Sequence, residues 1–341
     1  MNLRQLAEKL NLSQTTVSRA LNGYPEVNET TRKRVLDAAA RYHYRPNYRA
    51  RGLATGRAMS IGHVIPASNQ PQMVNMIFAD FIAGAGEVYA RHGYDMVISM
   101  VRDEDELRAY RGVAEKGAVD GILVHSPTCD DPRIALLSQL EIPFLVHGRS
   151  SRVRSDYSWL DVNNARAFER ATRHLIGLGH RRIALVNGQE QLDFALRRRA
   201  GYLKALRDSA IAPDSILMRT DEMSEPYGHV TASELLDLPD PPTAFLASSV
   251  VPALGIRRAI EERGLVMGRD VSIICFDDRI SYLPNGLEAP IFTAMRSSIR
   301  AAGRRCAELL IDRIARPDST TVTELWEAEF VQGQSTGPAP G

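Results

Sequence analysis

The chain has 341 residues and a nearly neutral formal net charge of +1, from 42 Lys+Arg and 41 Asp+Glu. Its 44% hydrophobic and 24% charged content is typical of a folded globular protein and excludes a disordered chain. No apolar stretch reaches bilayer length, so no membrane partner is expected. Cys129, Cys275 and Cys306 lack the spacing of a disulfide framework or metal site, which favours reduced thiols in the cytoplasm.

The near-neutral total conceals two segments of opposite charge. Residues 1–57 contain 11 Lys+Arg and 4 Asp+Glu, a net charge of +7, whereas residues 58–341 contain 31 and 37, a net charge of −6. A concentrated basic segment predicts a polyanionic partner, and double-stranded DNA is the natural one.

Residues 1–46 predict three short helices with a common core. Asn2, Ser13 and Asn28 stand where N-caps are expected, each just before an apolar pattern of helical period. The outward side chains of the second helix are Gln14, Thr15, Ser18 and Arg19. The apolar stripe of the third helix is Val35, Leu36 and Ala39. Two helices joined by a tight turn and braced by a third predict a helix-turn-helix headpiece.

Residues 47–57 predict a short hinge helix after Pro46. A helix of this length is marginal in isolation, and Gly52 weakens it further, so we expect it to fold on binding DNA.

From Ser60 onward, short apolar runs alternate with amphipathic stretches, which predicts parallel α/β structure. The predicted strands are 61–65, 95–100, 121–125, 144–147, 183–187, 216–219, 244–247 and 272–276. The predicted helices are 76–92, 103–116, 165–178, 194–209, 226–236, 250–263 and 299–314. The Gly/Pro-rich segment 333–341 is predicted to be a disordered tail.

The run LSQTTVSRALNG, followed by VNETTRKRVLDAAARYHYRPN, resembles the headpiece of the lactose-repressor/galactose-repressor (LacI/GalR) family of transcription regulators. ARGLATGR, HLIGLGHRRIALV, RRRAGYLKAL and DVSIICFDD continue the resemblance in order along nearly the whole chain. The implied fold is an all-α helix-turn-helix headpiece with a hinge helix, followed by a periplasmic-binding-protein-like, doubly wound α/β body. The implied subdomains are an N-subdomain of about 58–158 and 293–320 and a C-subdomain of about 159–292 and 321–332.

The resemblance also implies which residues contact DNA. Gln14 and Thr15 match positions that choose bases, and Leu53 matches a wedge that enters the minor groove. For Leu53 the alternative is packing on the body. The full implied set is Asn2, Ser13, Gln14, Thr15, Thr16, Ser18, Arg19, Asn28, Arg49, Leu53 and Arg57.

An effector site is implied between the subdomains. Arg198 belongs to an Arg-x-x-Gly pattern that supplies a ligand-binding arginine, and Asp277 is expected to accept bonds from ligand hydroxyls. The implied set is Phe78, His147, Arg149, Arg198, Met223, Ser249 and Asp277, with Arg197 and Arg199 solvated. The chain departs from the family pattern at Gly148, Ser248-Ser249 and Cys275, and in an inserted loop at 67–74. These departures leave the effector no more closely defined than a sugar, a mono- or disaccharide.

The expected function is a homodimeric, effector-controlled repressor that binds a pseudo-palindromic operator. The alternative is a sugar-processing enzyme with an accessory DNA-binding domain, and a purely structural binding protein comes third. The sequence contains no phosphate-binding Gly-rich loop, nucleophile elbow or metal-ligand cluster, so no cofactor or metal is expected. His180 is the one base that an enzyme could offer, although its position before a strand favours bracing a helix end.

Overall fold

The computed structural model describes residues 1–21, 23–42, 44, 57–66 and 76–341. They form two compact units, residues 1–59 and residues 60–341, here called the headpiece and the body. Apart from Arg57, the predicted hinge helix lies outside the described residues, as does the predicted insertion at 67–74. None of the helices within those ranges is long and apolar enough to cross a membrane.

The headpiece contains the three predicted helices, α1 (Leu3–Leu10), α2 (Gln14–Leu21) and α3 (Glu29–Arg41). The Asn2 side chain accepts a bond from the Gln5 backbone at 2.9 Å, and the Gln5 side chain accepts one from the Asn2 backbone at 3.0 Å, so α1 begins with a reciprocal cap. The buried core consists of Leu6, Ala7, Leu10, Val17, Ala20, Val27, Val35, Ala38 and Ala39. Leu36 was expected in this core but is 48% exposed, because the buried face of α3 passes through Ala38 instead.

The first sheet of the body contains strands β1 (Ser60–Pro66), β2 (Asp95–Val101), β3 (Gly121–His125), β4 (Phe144–His147), β5 (Trp159–Val162) and β11 (Thr323–Trp326). Their order is β11-β5-β4-β3-β1-β2, and every pair is parallel. The accompanying helices are α4 (Met76–His92), α5 (Glu106–Glu115), α6 (Pro132–Gln139) and α11 (Ile299–Ala315). These elements form the first subdomain.

The second sheet contains β6 (Ile183–Asn187), β7 (Met218–Thr220), β8 (Ala244–Ala247), β9 (Ser272–Asp277), β10 (Thr293–Arg296) and β12 (Glu329–Val331). Their order is β12-β10-β9-β8-β6-β7, and only the β10–β12 pair is antiparallel. The accompanying helices are α7 (Asn164–Gly177), α8 (Asp193–Asp208), α9 (Glu225–Leu236) and α10 (Val250–Glu262). These elements form the second subdomain, so the predicted two-subdomain α/β body is confirmed.

The subdomain boundaries differ from those predicted. Strands β5 and β11 pair with each other in the first sheet, although both were expected in the C-subdomain. Strand β10 lies in the second sheet, although it was expected in the N-subdomain. Each of these strands is only four residues long and adjoins a crossover, which is why the sequence pattern shows a connection there rather than a strand.

The prediction of a disordered tail at 333–341 is wrong. Ser335 is fully buried, and its backbone carbonyl accepts a bond from the Ile273 backbone of β9 at 2.8 Å. The Gly337 carbonyl accepts a bond from His180 at 3.1 Å. The tail is ordered because it pairs with the backbone and side chains of the second subdomain, and His180 braces it.

Candidate functional site

The outer surface of α2 is the candidate DNA-reading face. Gln14, Thr15 and Arg19 are exposed, while Ser18 and Thr16 are half-buried. Ser13 serves as the predicted cap, since its hydroxyl accepts a bond from the Thr16 backbone at 3.0 Å. The short polar side chains thus lie on one surface, with the core residue Val17 on the opposite side. This is the arrangement needed to approach base edges in a major groove.

The other predicted DNA contacts are placed less completely. Asn28 caps α3 by accepting a bond from the Thr31 backbone at 2.8 Å, and Arg57 is exposed. Arg49 and Leu53 lie outside the described residues, so the minor-groove wedge stays a prediction.

A cavity of about 170 Å³ lies between the two subdomains of the body. It opens at the carboxyl ends of strands from both sheets, where doubly wound folds bind ligands. Five of the seven predicted effector residues line it: Phe78, His147, Arg149, Arg198 and Met223. Further lining residues that no sequence pattern predicted are His125, Asp161, Asn164, Phe194, Phe276 and Asp278.

Arg198 reaches the cavity because α7 and α8 pack unusually closely. A Cβ atom on Gly201 would overlap the carbonyl oxygen of Ala165, so only glycine fits at this crossing. The Arg-x-x-Gly spacing therefore has a physical basis: the glycine brings the helices together, and the arginine one turn earlier points into the cleft.

The Arg198 guanidinium is buried and held from several directions. It donates to the Asn164 side-chain oxygen at 2.8 Å and to the Ser248 carbonyl at 2.6 Å. The nearest ring centroids are those of Phe276 at 4.4 Å, Phe194 at 4.8 Å and Phe168 at 5.1 Å. Burial lowers the pKa of Arg198 to about 10, so the group stays charged at neutral pH.

A second charged cluster connects the subdomains beside the cavity. Asp161 of β5 accepts bonds from Arg149 at 2.8 Å and from Arg197 of α8 at 2.6 Å. Arg197 also forms an ion pair with Asp193. Arg197 is therefore not solvated as expected, since only 15% of its side chain is exposed. Burial raises the pKa of Asp161, although both arginines act in the opposite direction.

Asp278, rather than the predicted Asp277, faces the cavity. Asp277 accepts a bond from Arg296 of the neighbouring strand at 3.0 Å and does not line the cavity. Adjacent residues at a strand end point to opposite sides, so the next residue, Asp278, is turned toward the cleft. Burial raises the pKa of Asp278 to about 7, while the charge of Arg198 opposes that shift.

Ser249 also lies away from the cavity. It is fully buried, and its hydroxyl accepts a bond from the Val251 backbone at 3.0 Å, which caps α10. Its position after a strand is equally suited to a cap and to a ligand contact, and the capping role explains its burial.

Two buried carboxylates form hydrogen bonds between the subdomains. Asp193 of the second subdomain accepts bonds from Ser151 at 2.6 Å and Cys129 at 3.0 Å, both in the first. Asp80 of the first subdomain accepts a bond from the Ser281 hydroxyl of the second at 2.8 Å. Each subdomain thus supplies one carboxylate and one serine to the contacts between the two.

Known proteins match both the headpiece and the body of this chain. A family model described as "Bacterial regulatory proteins, lacI family" matches residues 2–47, and one described as "Periplasmic binding protein-like domain" matches residues 172–336. The HTH-type transcriptional regulator AglR of Rhizobium meliloti (strain 1021) is 46% identical over 341 residues, which is 100% of this chain and 95% of AglR.

Solved structures match the whole chain as well. A transcriptional regulator CelR–cellobiose complex has a TM-score of 0.72 and 27% identity, and the match covers 98% of this chain and 99% of CelR. A Lac repressor dimer bound to operator and the anti-inducer ONPF has a TM-score of 0.85 and 25% identity, with 99% of each chain covered.

Proposed function

We propose that a neutral sugar, bound between the two subdomains, is the effector of this chain. The chain belongs to the LacI family of bacterial regulatory proteins and regulates transcription by binding DNA. The chain acts as a repressor in the cytoplasm, and the sugar is bound and released unchanged. The observation that carries the proposal is the cavity, whose cations already have partners within the protein.

The charges around the cavity favour an uncharged ligand. Arg149 is paired with Asp161, and Arg198 is bonded to a neutral amide and a carbonyl and lies near Asp278. Among the described residues that line the cavity, none is a lysine. Two carboxylates, Asp161 and Asp278, also line the cavity, so a phosphate or carboxylate on the ligand would lie close to like charge as well as to the arginines.

The remaining walls favour a sugar. Phe78, Phe194 and Phe276 supply apolar ring surface, while His147, Asn164 and Asp278 supply polar atoms. Mixed apolar surface with a few fixed polar groups is typical of small-molecule sites, and hydroxyls can both donate to the carboxylate and accept from the arginine. The CelR relative was solved with cellobiose, which supports a disaccharide as a first candidate.

The proposal is tested by calorimetric titration of the protein with cellobiose and a panel of neutral mono- and disaccharides. Glucose 6-phosphate and glucuronate are titrated in parallel as acidic sugars. We expect a neutral sugar to bind and to change operator affinity by tenfold or more, a coupling of about 1.4 kcal/mol. Recovery of the sugar intact after long incubation separates a regulator from a sugar-processing enzyme. Tighter binding of either acidic sugar would overturn the assignment of a neutral ligand.

We also propose that a second copy of the chain covers the exposed edge strand β2. Ile98 and Met100 on this strand are 39% and 46% exposed, although both are large apolar side chains. An edge strand that exposes apolar residues is a ready interface. A dimer also places two headpieces on one operator.

Ile98→Asp is expected to convert the dimer into monomers, because a carboxylate buried in an apolar interface has no partner there. Sedimentation velocity measures the assembly state. Leu107→Asp is the matched control, since Leu107 is 42% exposed on α5 rather than on β2. An unchanged dimer in the Ile98 variant would place the interface elsewhere.

A further inference from the structure

Behind the cavity, three side chains of the first subdomain form a continuous hydrogen-bonded relay. The Tyr89 hydroxyl of α4 lies 3.2 Å from Nε2 of His63, and Nδ1 of His63 lies 2.9 Å from Nε2 of His125. Tyr89 and His63 are 1% and 0% exposed, whereas His125 at the end of β3 is 8% exposed and lines the cavity. Only the last member of the relay can therefore meet a ligand.

All three groups are neutral at physiological pH. Burial lowers the pKa of His63 to about 3 and the pKa of His125 well below its ordinary value. Burial also raises the pKa of the Tyr89 hydroxyl, which stays protonated. A neutral imidazole carries one N–H donor and one acceptor nitrogen, so the proton position on one ring fixes the proton position on the next.

Tyr89 sets the direction of the relay. In the described part of the chain its hydroxyl has one hydrogen-bond partner, His63, so the phenolic hydrogen is satisfied only if it is donated to Nε2 of His63. His63 must then carry its own proton on Nδ1 and donate it to Nε2 of His125. The reverse direction leaves a buried hydroxyl hydrogen without an acceptor, which is disfavoured by about fivefold or more.

We propose that this relay fixes His125 as a hydrogen-bond donor, with its Nδ1–H presented to the cavity. Across residues 57–66 and 76–341, the bond from Nε2 to His63 is the one hydrogen bond that the His125 ring makes, which leaves Nδ1 available to a ligand. The rings of Phe78 and Phe81 pack nearly perpendicular to the His125 ring, each with centroids 5.1 Å apart, and restrict its orientation. The ligand accordingly places an acceptor oxygen against His125. This acceptor is a ring oxygen, a glycosidic oxygen or a hydroxyl oxygen. This specificity rests on the proposed sugar-binding function, whereas the relay itself does not.

The direct test is nitrogen NMR of the full-length, ligand-free protein with ring-labelled histidine, with the His125 signals assigned by loss in His125→Gln. We expect the His125 proton on Nδ1 in the parent protein. In Tyr89→Phe the proton should no longer be confined to that nitrogen, because the only donor that orients the relay is gone. Tyr202→Phe is the matched control, since it removes a buried hydroxyl that donates to the Ile183 carbonyl in the other subdomain.

A His125 proton on Nε2 in the parent protein, or a tautomer that Tyr89→Phe leaves unchanged, would overturn the proposal. The second arm titrates cellobiose, or whichever neutral disaccharide binds best, into the same variants. We expect a three- to tenfold loss of affinity in Tyr89→Phe and none in Tyr202→Phe. If no sugar binds the parent protein, the proposed ligand fails while the NMR result still decides the relay.

Discussion

Arg198→Ala is expected to lower effector affinity at least a hundredfold and to abolish the effector response, while operator binding in the absence of effector is retained. The guanidinium lines the cavity and also satisfies the Asn164 side chain and the Ser248 carbonyl. Its loss removes a ligand contact and leaves two buried acceptors unpaired, at about 1–3 kcal/mol each. Calorimetry with the sugar identified by the panel measures affinity, and fluorescence anisotropy with labelled operator measures the response.

Arg207→Ala is the matched control for this experiment. Arg207 lies in the last turn of the same helix, α8, but is exposed, so its removal should leave effector affinity unchanged. Thermal melting of both variants separates a binding defect from unfolding. Parental sugar affinity in Arg198→Ala would show that the ligand lies elsewhere.

Removal of residues 1–57 is expected to eliminate specific operator binding, with a loss of a thousandfold or more. These residues contain the net charge of +7 and all of α2, so both the phosphate attraction and the base-reading side chains are lost. Within the intact chain, Gln14→Ala should cost about 1–3 kcal/mol at the cognate base pair and little on unrelated DNA. Anisotropy titrations at several salt concentrations measure both effects.

The truncated body provides its own control, because it forms a compact unit with its own core. It should bind the effector sugar with parental affinity. Specific operator binding by the fragment would show that the headpiece is not the part of the chain that recognises the operator.

Much of the fold was predictable because its elements have clear periodicity. The headpiece helices and the longer strands, such as β1 and β9, were found to within a residue or two. Helix α6 was missed because its eight residues carry little periodic signal. The ordered tail was missed because its pairing with β9 involves residues about 60 positions away, which composition does not reveal.

The site was predictable only where a local pattern places the residue. The family's Arg-x-x-Gly pattern points to Arg198, and the comparison with the family at the end of β4 points to His147, both of which line the cavity. The choice between Asp277 and Asp278 depended on Arg296, a neighbour in the sheet 19 residues away that engages the first carboxylate. Asp161 carried no local signal at all, because its partners Arg149 and Arg197 are 12 and 36 residues distant.

The interleaved subdomains set the order in which the protein can be completed during synthesis. Strand β5 pairs with β4 but lacks its second neighbour until β11 at Thr323–Trp326 has been translated, and α4 lacks its packing partner until α11 is complete. The headpiece needs only local contacts for its core, so it can fold as soon as it leaves the ribosome. A nascent chain therefore acquires a folded DNA-binding unit long before either half of its effector-binding body is whole.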